Sequence, residues 1–235
     1  MNPDLRRLLR KGAPATGEID AFMHENEFPL VDERDVTFVF RGHADDVYLR
    51  CWISGLDTAQ PFQPLAGTDL WAATIELPKG SRIEYKFEVV RDGHHELIVD
   101  PLNPVLAHDP FGAKSECQAW GYERPHWTHH KPDSRDGHLT SIDVDSEVFR
   151  ERRQVNVYLP ARFRDNRRYS LLVVHDGNDY LNYAALKTVL DNLIHALEIP
   201  PLIVAMTQSA DRLKEYAGDD RHAQYLAEEL LPALA

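Results

Sequence analysis

The sequence has 235 residues, 43% of them hydrophobic and 27% charged, the balance of an ordinary globular chain of one large domain or two modest ones, which excludes a disordered or collagenous protein. Twenty-six Lys and Arg against 38 Asp and Glu leave a net charge of −12, a sign that repels phosphates, so nucleic acid and anionic membrane are not expected partners. No apolar run approaches the roughly 20 residues of a membrane helix; no secretory leader is visible at Met1–Arg10, and Cys51 and Cys117 read as thiols of a reducing cytoplasm.

Residues 1–32 predict one or two short amphipathic helices. Leu5, Leu8 and Leu9 share a face, Gly12 and Pro14 break the run, and Ile19, Phe22 and Met23 begin another. The period then shortens from 3.6 to 2. Val36, Phe38 and Phe40 alternate with the opposite face, as do Val47, Leu49, Cys51 and Ile53, then Trp71, Ala73, Ile75 and Leu77. Ile83, Tyr85, Phe87 and Val89 set against Arg82, Glu84, Lys86 and Glu88 give the cleanest half-buried strand. Arg91-Asp-Gly-His94 reads as a hairpin turn into Glu96–Val99. Short strands with no helix between them predict a β-sandwich over 33–119.

Residues 120–137 carry neither period. With Pro125 and Pro132 they read as a linker, and His126, His129 and His130 as surface histidines whose spacing fits no common metal site. Beyond it, 138–235 reads as an α/β domain. Two alternating strands, His138–Val144 and Arg153–Leu159, precede the apolar strand Tyr169–Val174 and the loop His175–Asp179. A helix starting near Asn182 places Tyr183, Leu186, Leu190, Leu193, Ile194 and Leu197 on one stripe. Pro200-Pro201 ends it, Leu202–Met206 is another apolar strand, and Asp219 or Asp220 caps a last helix. That order predicts a βαβ unit, with Leu171–Val174 parallel to Leu202–Met206 and the site at the strand C-termini.

Several segments together resemble one family. Asp100-Pro-Leu-Asn-Pro104, Asp109-Pro-Phe-Gly-Ala-Lys-Ser115 and Arg124-Pro-His-Trp127 are similar to the end of the N-terminal domain of enterochelin esterase-like proteins. Val155-Asn-Val-Tyr-Leu-Pro160, Leu171-Leu-Val-Val-His-Asp-Gly177, Pro201-Leu-Ile-Val-Ala205, Asp211-Arg-Leu-Lys-Glu-Tyr216 and Glu228-Glu-Leu-Leu-Pro232 follow in that family's order. The resemblance implies an early-set, immunoglobulin-like domain related to carbohydrate-binding modules, then the first part of an α/β-hydrolase. It implies a serine carboxylic-ester hydrolase acting on a small-molecule ester, without metal or cofactor. The fold's nucleophile sits on a G-x-S-x-G elbow, and no G-x-S-x-G occurs here; Ser170 begins a strand, and Gln208 and Ala210 flank Ser209. The elbow and triad are therefore expected beyond residue 235, and the 235-residue chain is expected to be inactive. Leu202–Met206 is then expected to be an uncovered edge, inviting a second copy or a completing polypeptide. The alternative is a non-catalytic binding or scaffolding protein whose sandwich holds a glycan or a protein.

The resemblance marks Asp176, Gly177 and Asn178 as oxyanion-hole and substrate-rim candidates, with Arg212, Glu215 and Tyr216 on the neighbouring loop. A glycine lets the chain turn tightly enough to present amides, here of Gly177 and Asn178, to a developing oxyanion. The same residues also fit a plain strand-to-helix turn, and Arg212 and Glu215 fit a solvated i, i+3 pair. His175 and His222 lack a recognisable nucleophile to serve. Trp71 shares a face with Ile75 and Leu77 and reads as core; Trp52 lies opposite Leu49 and Cys51, where an exposed ring suits a sugar.

Overall fold

The computed structural model describes residues 2–10 and 12–234; Met1, Lys11 and Ala235, the last closing the expected 138–235 segment, lie outside them. The chain divides into two compact units, Met1–Glu123 and Arg124–Ala235.

In the first unit Asn2 caps α1 (Pro3–Leu9), its side chain accepting from the Asp4 N–H at 2.9 Å, and α2 (Thr16–Glu25) follows. Ten strands come next: β1 (Leu30–Val31), β2 (Asp35–Arg41), β3 (Asp46–Cys51), β4 (Ala59–Pro61), β5 (Gln63–Pro64), β6 (Leu70–Glu76), β7 (Arg82–Arg91), β8 (His94–Ile98), β9 (Leu106–Asp109) and β10 (Gly112–Gln118). They form two antiparallel sheets, ordered β1-β2-β6-β5 and β4-β3-β7-β10-β9, with β8 also paired to β7. Val36, Phe38 and Phe40 of one sheet and Val47, Leu49, Tyr85, Phe87 and Val89 of the other enclose one core. Each such burial contributes about 1.5–3 kcal/mol. The opposite face of β2 and β6 is covered too: Val39, Leu70 and Ala72 pack with Leu5, Ile19 and Phe22 of the two helices.

The Asp100–Asn103 motif has a local role. Asp100 accepts from the Tyr85 hydroxyl at 2.7 Å and takes the Ser115 hydroxyl on its own N–H at 2.8 Å. Asn103 donates to the Tyr85 oxygen and to the Glu116 carbonyl. Burial pushes the Asp100 carboxyl up to about 6, against the hydrogen bonds from Tyr85 and Leu102.

The second unit holds β11 (His138–Ser146), β12 (Glu151–Leu159), β13 (Ser170–Val174), α3 (Gly177–Tyr183), α4 (Leu186–His195), β14 (Leu202–Met206), α5 (Arg212–Glu215) and α6 (Asp220–Gln224), then a π turn (Tyr225–Leu230) and α7 (Leu231–Ala233). Asp219 caps α6 by accepting from the Arg221 N–H at 3.0 Å. The sheet order is β11-β12-β14-β13, and β13 runs parallel to β14 with Ser170 opposite Leu202 and Val174 opposite Met206. Val144, Val155, Val157 and Ala205 pack beneath Tyr225 and Leu230 on one face; Tyr158, Val204 and Met206 pack beneath Leu190 and Ile194 on the other.

Three expectations need correction. Leu202–Met206 is not the edge: the crossover through α3 and α4 carries the chain past β13, so β14 lies between β12 and β13 and the edge is β13. The helix starts at Gly177, five residues before Asn182, and the stripe from Tyr183 to Leu197 is broken where Ala185 adopts φ 49°. The stretch read as a linker is held down after Arg124, because two adjacent polar residues of α4 face it. Asn192 donates to the Trp127 and His129 carbonyls at 2.8 and 2.7 Å. Asp191 accepts from the Gly137 N–H, the Tyr158 hydroxyl and Lys187.

Candidate functional site

The C-terminal ends of β13 and β14 lie side by side, and the turns that leave them meet. Asp176 takes a left-handed conformation, φ 55° and ψ 39°, which sends the chain from β13 almost directly into α3. Gly177 then lies flat on β14: a Cβ there would overlap the Met206 Cβ and stand 2.8 Å from the Met206 Cα. Its N–H donates to the Thr207 carbonyl at 2.9 Å, and the Thr207 N–H donates to the Val174 carbonyl at 2.8 Å. The Gly177 amide is therefore occupied and not open to an anion, contrary to expectation. Asn178 accepts through Oδ1 from the Asn156 amide at 2.8 Å.

From the other turn, Asp211 caps α5, and Arg212 reaches back to Asp176, Nη2 to Oδ2 at 3.0 Å. The remaining Asp176 oxygen, Oδ1, is buried without a hydrogen-bond partner. The Tyr216 hydroxyl is buried beside Asp176; burial and then the Asp176 carboxylate raise its pKa, so it stays protonated. A groove of about 450 Å³ runs alongside, lined by Leu172, Val174, His175, Asp176, Tyr180 and Tyr216.

Arg212 and Glu215 do not pair with each other. Glu215 is turned inward to Arg153, with both guanidinium–carboxylate contacts at 2.8 Å and both side chains buried. Those bonds hold the Glu215 carboxyl below the usual range. Arg153 also meets Glu151 at 2.6 Å and lies 3.6 Å above the Phe149 ring. His175 and His222 meet edge to face with ring centroids 4.8 Å apart, and Tyr216 meets His222 in the same way at 5.1 Å. Burial, then His175, lowers the His222 pKa, so its ring is neutral near pH 7. His175 Nδ1 lies 3.2 Å from the Thr207 hydroxyl.

The structure thus brings Asp176, Gly177, Arg212 and Tyr216 together, orients Asn178 towards β12 and gives Glu215 a buried partner. Sequence reasoning missed Arg153, Thr207 and Met206. Arg153 had a readable signal, since it shares parity with Val155 and Val157 on the buried face of β12, where a charge demands a partner. Trp52 stands exposed at 90%, and Trp71 is half-buried with its indole N–H on the Gly42 carbonyl. Among the described residues no group of three or more His, Cys, Asp or Glu could hold a metal, and no helix is long and apolar enough to cross a membrane.

Residues 146–235 match the family described as "Putative esterase". No curated protein sequence matches the chain. The enterobactin esterase of Shigella flexneri, solved in the presence of enterobactin, superposes with a TM-score of 0.68 at 21% identity over 91% of this chain. The ferric enterobactin esterase of Salmonella typhimurium gives 0.67 at 19% identity over 89%. This chain covers 64% and 63% of those two proteins. At such identities the likeness establishes a shared fold.

Proposed function

We propose that this chain, an enterochelin esterase-like protein, forms the substrate rim of a carboxylic-ester hydrolase whose serine nucleophile is supplied by residues other than these 235. One observation carries the reading. The turns leaving two adjacent parallel strands are locked together by the Gly177–Thr207 backbone bond and the Arg212–Asp176 ion pair. In α/β-hydrolases an oxyanion donor comes from the turn after the third strand, and β13 is the third strand of a sheet ordered first, second, fourth, third. With Gly177 occupied, the Asn178 amide is the donor we assign. Arg212 gives the rim its cation, and Tyr216, kept protonated, gives it a hydroxyl hydrogen.

A small-molecule ester is the substrate in this reading, and the enterobactin of the Shigella structure makes a catecholate ester the first class to try. The two antiparallel sheets support an immunoglobulin-like, early-set domain over 33–119, and the sheet order supports the α/β-hydrolase assignment of 138–235. The two cysteines, buried and unpaired, suit a reducing cytoplasm. The mechanism is tested with a fluorophosphonate probe and p-nitrophenyl butyrate. The 235-residue chain should show neither labelling nor turnover, whereas a label on Ser209, or hydrolysis above background, would overturn the assignment of the nucleophile.

A further inference from the structure

The other end of the parallel strands carries an unexplained concentration of charge. The β12–β13 loop, the C-terminal end of α4 and the segment around Arg135 enclose a pocket of about 310 Å³. Arg135, Arg162, Arg164, Arg167, Tyr169 and His195 line it, and no carboxylate does. In a chain of net charge −12 that is a sharp local reversal. Five-residue strands at about 3.3 Å per residue put it roughly 16 Å from the Asp176–Arg212 rim, too far to belong to that site.

Unpaired arginines occur elsewhere among the described residues, at Arg6, Arg34 and Arg150 for example; what sets these four apart is that they line one pocket with no carboxylate. Arg41 is paired to Asp20 and Asp69, Arg82 to Glu84 and Glu116, and Arg152 to Asp143 and Asp145. Among the described residues, the side chains of Arg135, Arg162, Arg164 and Arg167 make no ion pair and no hydrogen bond; Arg167 lies over the Tyr169 ring at 5.5 Å. The nearby acids do not neutralise them: Asp136 faces Lys187 and Glu198 faces His126, and Asp165 of the same loop does not line the pocket. Four exposed like charges around one concavity make it a positive patch that a multivalent anion would neutralise.

The pocket is also built in advance. The loop is fixed by the Phe163 N–H on the Pro160 carbonyl, the Arg167 N–H on the Arg164 carbonyl and the Arg164 N–H on the Tyr169 oxygen. Phe163 stacks on Tyr169 at 5.2 Å. His195 accepts the Arg135 N–H on Nδ1 at 3.3 Å, which ties the Arg135 segment to the end of α4.

We propose that this pocket is a binding site for a compact polyanion, diphosphate or tricarboxylate in kind, separate from the ester site. Guanidinium forks match both groups bidentately, and the volume sits at the small end of ligand pockets. The test is calorimetric titration of the chain with inorganic pyrophosphate, and in a second arm with citrate, at low ionic strength. Saturable single-site binding is expected, weakening as salt is raised. It should fall about tenfold or more in R164Q/R167Q. R135Q, on a separate segment, should weaken it too, which guards against a loop-folding effect. R152Q, outside the pocket, should bind as the wild type. Tighter pyrophosphate assigns a phosphate ligand and tighter citrate a tricarboxylate. Absence of saturation with both, equal binding by R164Q/R167Q, or an equal loss in R152Q would overturn the site.

Discussion

Glu215→Ala removes one half of the buried pair beneath the rim, and its cost can be worked from the geometry. The lost contacts are two charge-assisted hydrogen bonds of 2.8 Å to a guanidinium that is 7% exposed. Breaking one partner of such a pair costs about 3–5 kcal/mol, because the other charge stays buried. Arg153 would keep half-exposed Glu151 at 2.6 Å and the Phe149 ring beneath it, which puts the loss at the low end, about 3 kcal/mol. That is a fall in Tm of about 10 °C for a unit of this size. Urea and thermal unfolding followed by circular dichroism measure it. R153M/E215A should recover much of the loss, since no charge is left stranded. The sign with pH also follows. Glu215 is depressed in the fold below its ordinary 4.5, so its stabilisation is complete above about pH 4.5 and disappears as pH falls through the lower folded value. E215A should lack that acid-side loss. A single variant within about 0.5 kcal/mol of wild type, or a double variant no better than the single, would refute the reasoning.

Three further outcomes follow from the same structure. Asp100, raised to about 6 from 3.8, retains its proton longer in the fold than unfolded, so its contribution to stability falls as pH rises from about 4 to 6; D100N should flatten that slope in a thermal series. Gly177→Ala drives a Cβ into Met206 and should cost about 2–3 kcal/mol in urea unfolding, and a neutral result would show that α3 does not lie on β14. Leu172 is exposed on the β13 edge, so the chain should self-associate at tens of micromolar by light scattering and L172K should disperse it; a monomeric wild type would contradict this.

The legible parts of the fold were those governed by local pattern. Alternation at Ile83–Val89 marks β7, the apolar runs at Leu171–Val174 and Leu202–Met206 mark parallel strands, and Asp219 or Asp220 marks a cap, which the structure gives to Asp219. What stayed hidden depends on distant partners. Strand order is absent from periodicity, which does not reveal that the edge is β13 and not β14. Glu215 has a partner 62 residues away, which an i, i+3 reading could not supply. Asp191 and Asn192 look like solvated helix positions until the backbone of Trp127–Gly137 is laid against them. The occupied Gly177 amide belongs to the same class, because Thr207 arrives from the next strand.

The rim is tested most directly by a nitrogen–proton correlation titration of this chain with a catecholate ester, the substrate class of the proposed function. The account predicts saturable shifts gathered at Asp176–Asn178 and Arg212–Tyr216, weakened in R212A and unchanged in R164Q/R167Q. Shifts confined to Met1–Glu123, or none at either turn, would contradict it.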